Sequence, residues 1–153
     1  MQKNKYGIEA MKNKFNQSVM LLSLLMSSSI SIAEDDTREL VQFPEMMQQH
    51  MMKNMRDHLK SINEILSSLA SDDLDTAAQV AEQRLGMSSL ESHDASHMAK
   101  FMPEGMRQAG SSMHKEASRF ALKAQEGDLL AAYKILPEIT SACVACHAAY
   151  RIR

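Results

Sequence analysis

Near the end of the chain stands Cys143-Val144-Ala145-Cys146-His147, a stretch that holds both cysteines of the 153-residue sequence. Two thiols with this spacing, and a histidine directly after the second, suit covalent attachment of a c-type haem. The thiols form thioether bonds to the porphyrin vinyl groups and the imidazole ligates the iron. Three other uses of C-x-x-C fit less well. A thioredoxin-like redox pair belongs near the start of a helix that follows a strand, and no strand-helix-strand pattern precedes this one. A structural zinc site needs four ligands, whereas two thiolates and scattered histidines are offered. A plain disulfide uses neither the histidine nor its position. On a helix, positions 143 and 146 share a face, as do 143 and 147, so one helix can present both thiols and the imidazole together.

The elements that must position this motif read as helical. The chain is one domain long, and it has no Trp, five Gly and three Pro, which disfavours a fold of many short strands. Its Ala, Leu, Met, Glu, Lys and Gln content favours helix, so the expected class is all-α. A first helix over 44–70 has Pro44 at its entrance and a seam of Met52, Met55, Leu59, Ile62, Leu66 and Leu69 stepping by three and four. Ser71-Asp72-Asp73 ends it and caps a second helix over 74–86, with Leu74, Ala78, Ala81 and Leu85 inward and Gly86 as the stop. Residues 87–102 read as a connection with one or two helical turns. A third helix over 103–126 turns Met106, Gly110, Met113, Ala117, Phe120 and Ala124 inward and is capped by Gly127. Asp128 caps a fourth that runs to the end, with Leu129, Tyr133, Leu136, Thr140, Cys143, His147 and Tyr150 inward and a kink or restart at Pro137. Four helices with short first and last connections describe an antiparallel four-helix bundle.

The first 33 residues read as an export signal. Lys3, Lys5, Lys12 and Lys14 precede an apolar run from Val19, and Ser31-Ile32-Ala33 fits a small-x-small cleavage site. Met11 is an alternative start, since Met11-Lys12-Asn13-Lys14 is a sufficient basic region by itself. An uncleaved anchor is the other reading, but the run is short of the roughly 20 apolar residues that span a bilayer. Cleavage leaves a domain over 34–153 with no membrane span. It removes four of the 17 basic residues and one of the 19 acidic ones, leaving 13 against 18. No basic stripe remains, so nucleic acid is excluded as a partner. Export also disfavours a reduced thiol or zinc site.

The stretch Cys143-Val144-Ala145-Cys146-His147-Ala148-Ala149-Tyr150-Arg151 resembles the C-x-A-C-H-x-x-Y-R ending of the class II c-type cytochromes, the cytochrome c-prime family, which carry the motif in the last helix of a four-helix bundle. A second stretch, Met52-x-x-Met55-x-x-His58, is similar to the pattern of that family's first helix. The resemblance implies one covalent haem c bound through Cys143 and Cys146 and ligated by His147. Low-spin members resemble this chain in having methionine at the position of Met52, and there the resemblance implies a six-coordinate iron. A Met/His pair raises the potential and suits electron transfer. Met51, Met55, His50 and an open iron site remain alternatives, because a methionine stripe also serves as adaptable core.

By the same resemblance Arg151, one turn beyond His147, flanks the haem and pairs with a propionate. A solvated arginine favourable to the helix dipole is the alternative. Tyr150 is expected at the haem edge, its hydroxyl on a polar partner. His93 and His97, in the irregular connection, read as exposed. His58 and His114 read as partly buried or surface residues, and Phe101 to Met106 either closes over the haem or packs a helix entrance. The expected function is a periplasmic mono-haem electron carrier of a Gram-negative bacterium. It would serve redox partner proteins, with a homodimer face possible on the first two helices. A gas-binding haem protein with an open iron is the alternative. A peroxidase would need a distal acid-base group that the sequence does not identify, so no enzyme activity is expected.

Overall fold

Residues 35–153 are described by a computed structural model; the expected signal segment, 1–33, lies outside the described residues. A two-residue strand β1 (Glu39–Leu40) precedes the first long helix, α1 (Glu45–Ala70). Pro44 is the residue before α1, where its fixed φ of −53° starts the helix without costing a needed hydrogen bond. Ser71 ends α1, and Asp73 caps α2 (Leu74–Val80) by accepting from the Thr76 amide at 3.0 Å. α2 runs on into a wider π turn, Ala81–Leu85. The connection holds a 3-10 turn (Met87–Ser89), a short α3 (Ala95–Met98) and a second 3-10 turn (Ala99–Phe101). Then come α4 (Glu104–Gln125), α5 (Leu129–Ala149) and the strand β2 (Tyr150–Arg151). The described chain is all-α apart from these two strands.

Apart from the end of the last helix, the predicted starts and stops recur within a residue or two, because each has a local chemical cause. Gly127 takes φ +75° after α4, a backbone that glycine adopts without steric cost, and Asp128 caps α5 through the Ala131 amide at 2.9 Å. Gly86 stops the second helical stretch, but with extended backbone rather than a left-handed cap. Pro137 sits inside α5, which runs unbroken through it, so the predicted restart does not occur.

Thr37–Arg153 is one unit with two apolar clusters. The larger joins Ile65 and Leu69 of α1, Ala77 and Val80 of α2, Leu85, Phe120 of α4, and Ile135 and Ile139 of α5. α4 and α5 pack together most extensively, and their inward rows differ in how well the sequence located them. On α4 the predicted row is buried except for Gly110, which is half-buried. On α5 the buried residues are Ala132, Ile135 and Ile139, while Tyr133 is 43% exposed and Thr140 is exposed, so the predicted row lies on the flank of the true one. α1 departs further. Its predicted seam leaves Leu59 at 73% and Leu66 at 47% exposure, and the buried face carries Met51, Asn54, Ser61, Ile65, Ser68 and Leu69. Two of the three polar members of that face are hydrogen-bonded through their side chains: Ser61 Oγ donates to the Asp57 carbonyl at 2.8 Å and Asn54 Nδ2 to the His93 carbonyl at 3.1 Å.

The predicted continuation of the last helix to the chain end is corrected. Tyr150 has φ −129° and ψ 148°, so α5 ends at Ala149 and the backbone turns extended. β1 and β2 pair in parallel, Glu39 with Tyr150 and Leu40 with Arg151, and the Val41 amide donates to the Arg151 carbonyl at 2.8 Å. Gln48 of α1 donates to the Ile152 carbonyl. Val41, only 3% exposed, plugs the smaller apolar cluster with Met51, Met98 and Met106, against which Cys146, Tyr150 and Ile152 pack.

Candidate haem-attachment site

A cavity of about 600 Å³ lies among α1, α4, α5 and the connection. That is within the roughly 300–1,000 Å³ of small-molecule and cofactor sites. α1 contributes Met51, Met52, Met55, His58 and Ile62; the connection gives His93, Met98 and Met102; α4 gives Met106, Met113 and His114. α5 contributes Ile139, Cys143, Cys146 and His147, and the chain ends contribute Arg38, Tyr150, Arg151 and Arg153. The exposed lining residues Arg38, Leu59, His147 and Arg153 mark where the cavity opens to solvent.

The lining has a definite chemistry. Seven of the chain's 14 methionines are on it, four histidines and three arginines, and no aspartate or glutamate. An apolar slot with cationic groups and no carboxylate suits a flat apolar ligand with an anionic edge. The helical spacing works as expected at the motif: Cys143 and Cys146 are half-buried and line the cavity with His147. Among the described residues both cysteines are free thiols, so the plain disulfide reading is not what the structure shows. Burial raises both thiols above their ordinary range, and Cys143 adds weakly to this for Cys146. A thiol redox pair needs the opposite, a lowered pKa at a helix N-terminus, whereas this pair sits in the last two turns of α5. The residues present therefore fit a covalently held haem better than thiol exchange.

The opposite wall is α1. Met52 and Met55 are half-buried and line the cavity. Met51 also reaches it, but is 5% exposed and packs into the Val41 cluster. His50 is not a lining residue, and its Nε2 is buried without a hydrogen-bond partner. Arg151 does line the cavity, but from the extended β2, so its placement one helical turn beyond His147 is corrected and the helix-dipole reading of it falls away. Tyr150 is half-buried beside Cys146 in the smaller apolar cluster, and its hydroxyl lies against the start of α4, where a Cβ added at Gly105 would meet it at 2.5 Å. Met102 and Met106 show that the Phe101–Met106 run both lines the cavity and begins a helix.

What the sequence did not reveal is a group of imidazoles. His93, expected exposed, is 9% exposed. Its ring centroid stands 4.8 Å from that of His58 and 5.4 Å from that of His114, and the latter two are 6.1 Å apart. The wide π turn and the extended Gly86 leave the Leu85 carbonyl free of helical partners, and His114 Nδ1 donates to it at 2.7 Å. Burial lowers all three below the usual histidine range, His58 to about 4, with His93 and His114 adding to the effect on His58. His97, as expected, is exposed and pairs with Asp94. Among the described residues no group of three potential ligands is arranged to hold a metal ion by itself. The one signal in the sequence was the spacing of His58 from the Met52 seam, which puts it on the cavity side of α1.

Searches of family models, curated proteins and solved structures find no match to the chain.

Proposed function

We propose that this protein is an exported mono-haem c-type cytochrome that carries single electrons between redox partner proteins. In this reading residues 1–33 are a signal peptide cleaved on passage to the periplasm, and 34–153 form an antiparallel four-helix bundle built from α1, α2 with its π turn, α4 and α5. The resemblance to the cytochrome c-prime family, and to its Met-ligated members, is carried by Cys143 to Arg151 and by Met52, Met55 and His58. The observation that carries the proposal is that these two stretches, distant in sequence, line one apolar cavity.

In that cavity Cys143 and Cys146 would hold haem c by thioether bonds, and His147 and Met52 would be its axial ligands. The bound haem supplies reversible one-electron chemistry at its iron, at a potential that a Met/His pair raises. α5 fixes two thiols and an imidazole at i, i+3 and i+4, so the attachment geometry is set by one rigid element. Met55, Met98, Met106, Met113, Ile62 and Ile139 keep water away from the site, which favours the less charged reduced state. Arg38, Arg151 and Arg153 at one edge suit carboxylates there, and Tyr150 closes the same edge. The carboxylate-free cavity lacks the paired acid and base of a hydrolase, and no enzymatic role is proposed. α5 is the one described helix long and apolar enough to cross a membrane. Ala132, Ile135 and Ile139 of it belong to the core, and Ile139, Ala142, Cys143 and Cys146 to the cavity wall.

A pyridine haemochrome assay on the exported protein tests the reading. One covalent haem per chain is expected, and the reduced protein should resist carbon monoxide. Rapid formation of a stoichiometric carbon monoxide complex would make it an open-site gas binder instead, and absence of covalent haem would overturn the proposal.

A further inference from the structure

Three histidines share one wall of the cavity, and nothing in the electron-carrier reading requires them. Their hydrogen bonds show how they are protonated. His114 Nδ1 faces a carbonyl, an acceptor only, so it carries the proton and leaves Nε2 as a lone pair. Ser89 Oγ donates to the Gly86 carbonyl at 2.7 Å, so toward His93 Nδ1 at 3.3 Å it can only accept, and His93 too has its proton on Nδ1. His58 Nε2 is buried with no hydrogen-bond partner. The cluster therefore holds basic nitrogens on rings 4.8 to 6.1 Å apart, in a cavity whose lining has no carboxylate. The nearest acid, Asp57, is bound to Arg84 through both oxygens, at 2.5 and 3.1 Å, and Arg84 also binds Glu64 at 2.6 Å. Three close imidazoles, with Asp57 the carboxylate that bears on them, form a site that one added proton can occupy.

We propose that His58, His93 and His114 form a proton-binding site coupled to the redox state of the haem cavity they line, so that reduction draws protons to the cluster. The inference rests on the haem reading above. Were a haem bound there to take an electron from a donor, the cavity would lose one positive charge, and an imidazole nitrogen would accept a proton from solvent hydronium, one N–H bond forming as one O–H bond breaks and water is released. Oxidation would reverse the transfer and return the proton to solvent. A cavity of about 600 Å³ is on the order of 10 Å across, and a unit charge at that distance in an effective dielectric of about 20 shifts a proton equilibrium roughly tenfold or more. The other groups that bear on the cluster are Asp57 and His50 of α1 and Arg84 of the π turn. Cys143, Cys146 and His147 of α5 and Arg38, Arg151 and Arg153 of the chain ends share the cavity. Burial disfavours the charged form of all three rings, so the cluster starts neutral, as the coupling needs. The three rings titrate as a group, so the coupling belongs to the cluster rather than to one histidine.

The test is the midpoint potential of the haem-loaded protein against pH from 4 to 8, with histidine ring NMR signals followed in both redox states. The potential should fall as pH rises, by about 59 mV in all, the one-electron equivalent of a tenfold shift, and the ring signals should titrate at higher pH in the reduced protein. His58→Gln and His93→Gln should each flatten that pH dependence, read on the haem-loaded fraction of each variant. A potential independent of pH, or ring titrations identical in the two redox states, overturns the proposal even if neither variant folds. Haem content from the haemochrome assay reports separately on the electron-carrier reading.

Discussion

Arg38 Nη1 lies 3.4 Å from the carbonyl oxygen of His147, so the first strand reaches the backbone of the histidine that α5 presents to the cavity. The contact is a consequence of the parallel pairing of Glu39 with Tyr150 and Leu40 with Arg151. The ends of the domain thus meet at the edge of the proposed haem site, and the arginines of both ends are delivered to it together.

Met52 is the lining residue on which the sixth coordination position is proposed to depend. Met52→Ala should abolish the methionine-to-iron charge-transfer band of the ferric protein and admit carbon monoxide to the ferrous one. Retention of the band would assign the position to Met55 or Met51, both of which reach the cavity.

The imidazole cluster makes stability depend on acid. His58 titrates at about 4 in the folded protein against 6.5 ordinarily, because burial and then the neighbouring His93 and His114 disfavour its charge. Between those values the unfolded chain binds more protons, so stability rises with pH there. It is full above about 6.5 and is lost as pH falls toward 4. The carboxylates held low by hydrogen bonds, such as Asp57, lose theirs at lower pH still. Melting temperatures measured from pH 7 to 4 should decline steadily, and His58→Gln should reduce the decline in that window. An unchanged profile in the variant would place the acid sensitivity elsewhere.

Gly105 and Tyr150 should behave as a coupled pair. Alanine at 105 would normally favour a helix by up to about 1 kcal/mol, but its Cβ would stand 2.5 Å from the Tyr150 hydroxyl oxygen. Gly105→Ala is therefore expected to destabilise the wild-type chain. It should cost less, or stabilise, in the Tyr150→Phe background, a non-additivity of about 1 kcal/mol in urea unfolding. Equal effects in both backgrounds would mean that the hydroxyl is not what crowds the position.

The sequence was most legible where structure is set by neighbours in the chain. Asp73, Asp128 and Gly127 cap helices because each satisfies, or allows, a local backbone arrangement, and those positions are found without knowing the fold. The spacing of Cys143, Cys146 and His147 was legible for the same reason. The seam of α1 was less so: a three-four repeat of apolar residues marks a face that meets something apolar, and part of this one borders a cavity rather than a packed helix. Leu59, which lines the cavity, therefore satisfies the pattern yet stays exposed, while Ser61 and Ser68 are buried. β2 was missed because Ala148-Ala149-Tyr150 has good helix formers, and what turns it extended is pairing with a strand at the other end of the domain. The imidazole cluster was hidden likewise, since His58, His93 and His114 come from three separate segments and nothing local marks them as neighbours.

The pairing of β1 with β2 closes almost the whole domain into a loop, and this bears on the order in which the protein is assembled. Contacts between residues so far apart in sequence carry the largest closure entropy, whereas α4 against α5 is a local pairing across a short turn. The helical hairpin that bears Cys143 and Cys146 can therefore form first, with the strap of Arg38 to Val41 still undocked. The thiols would then be reachable by attachment machinery while the cavity edge is open, and docking of Val41 would seal the edge afterwards.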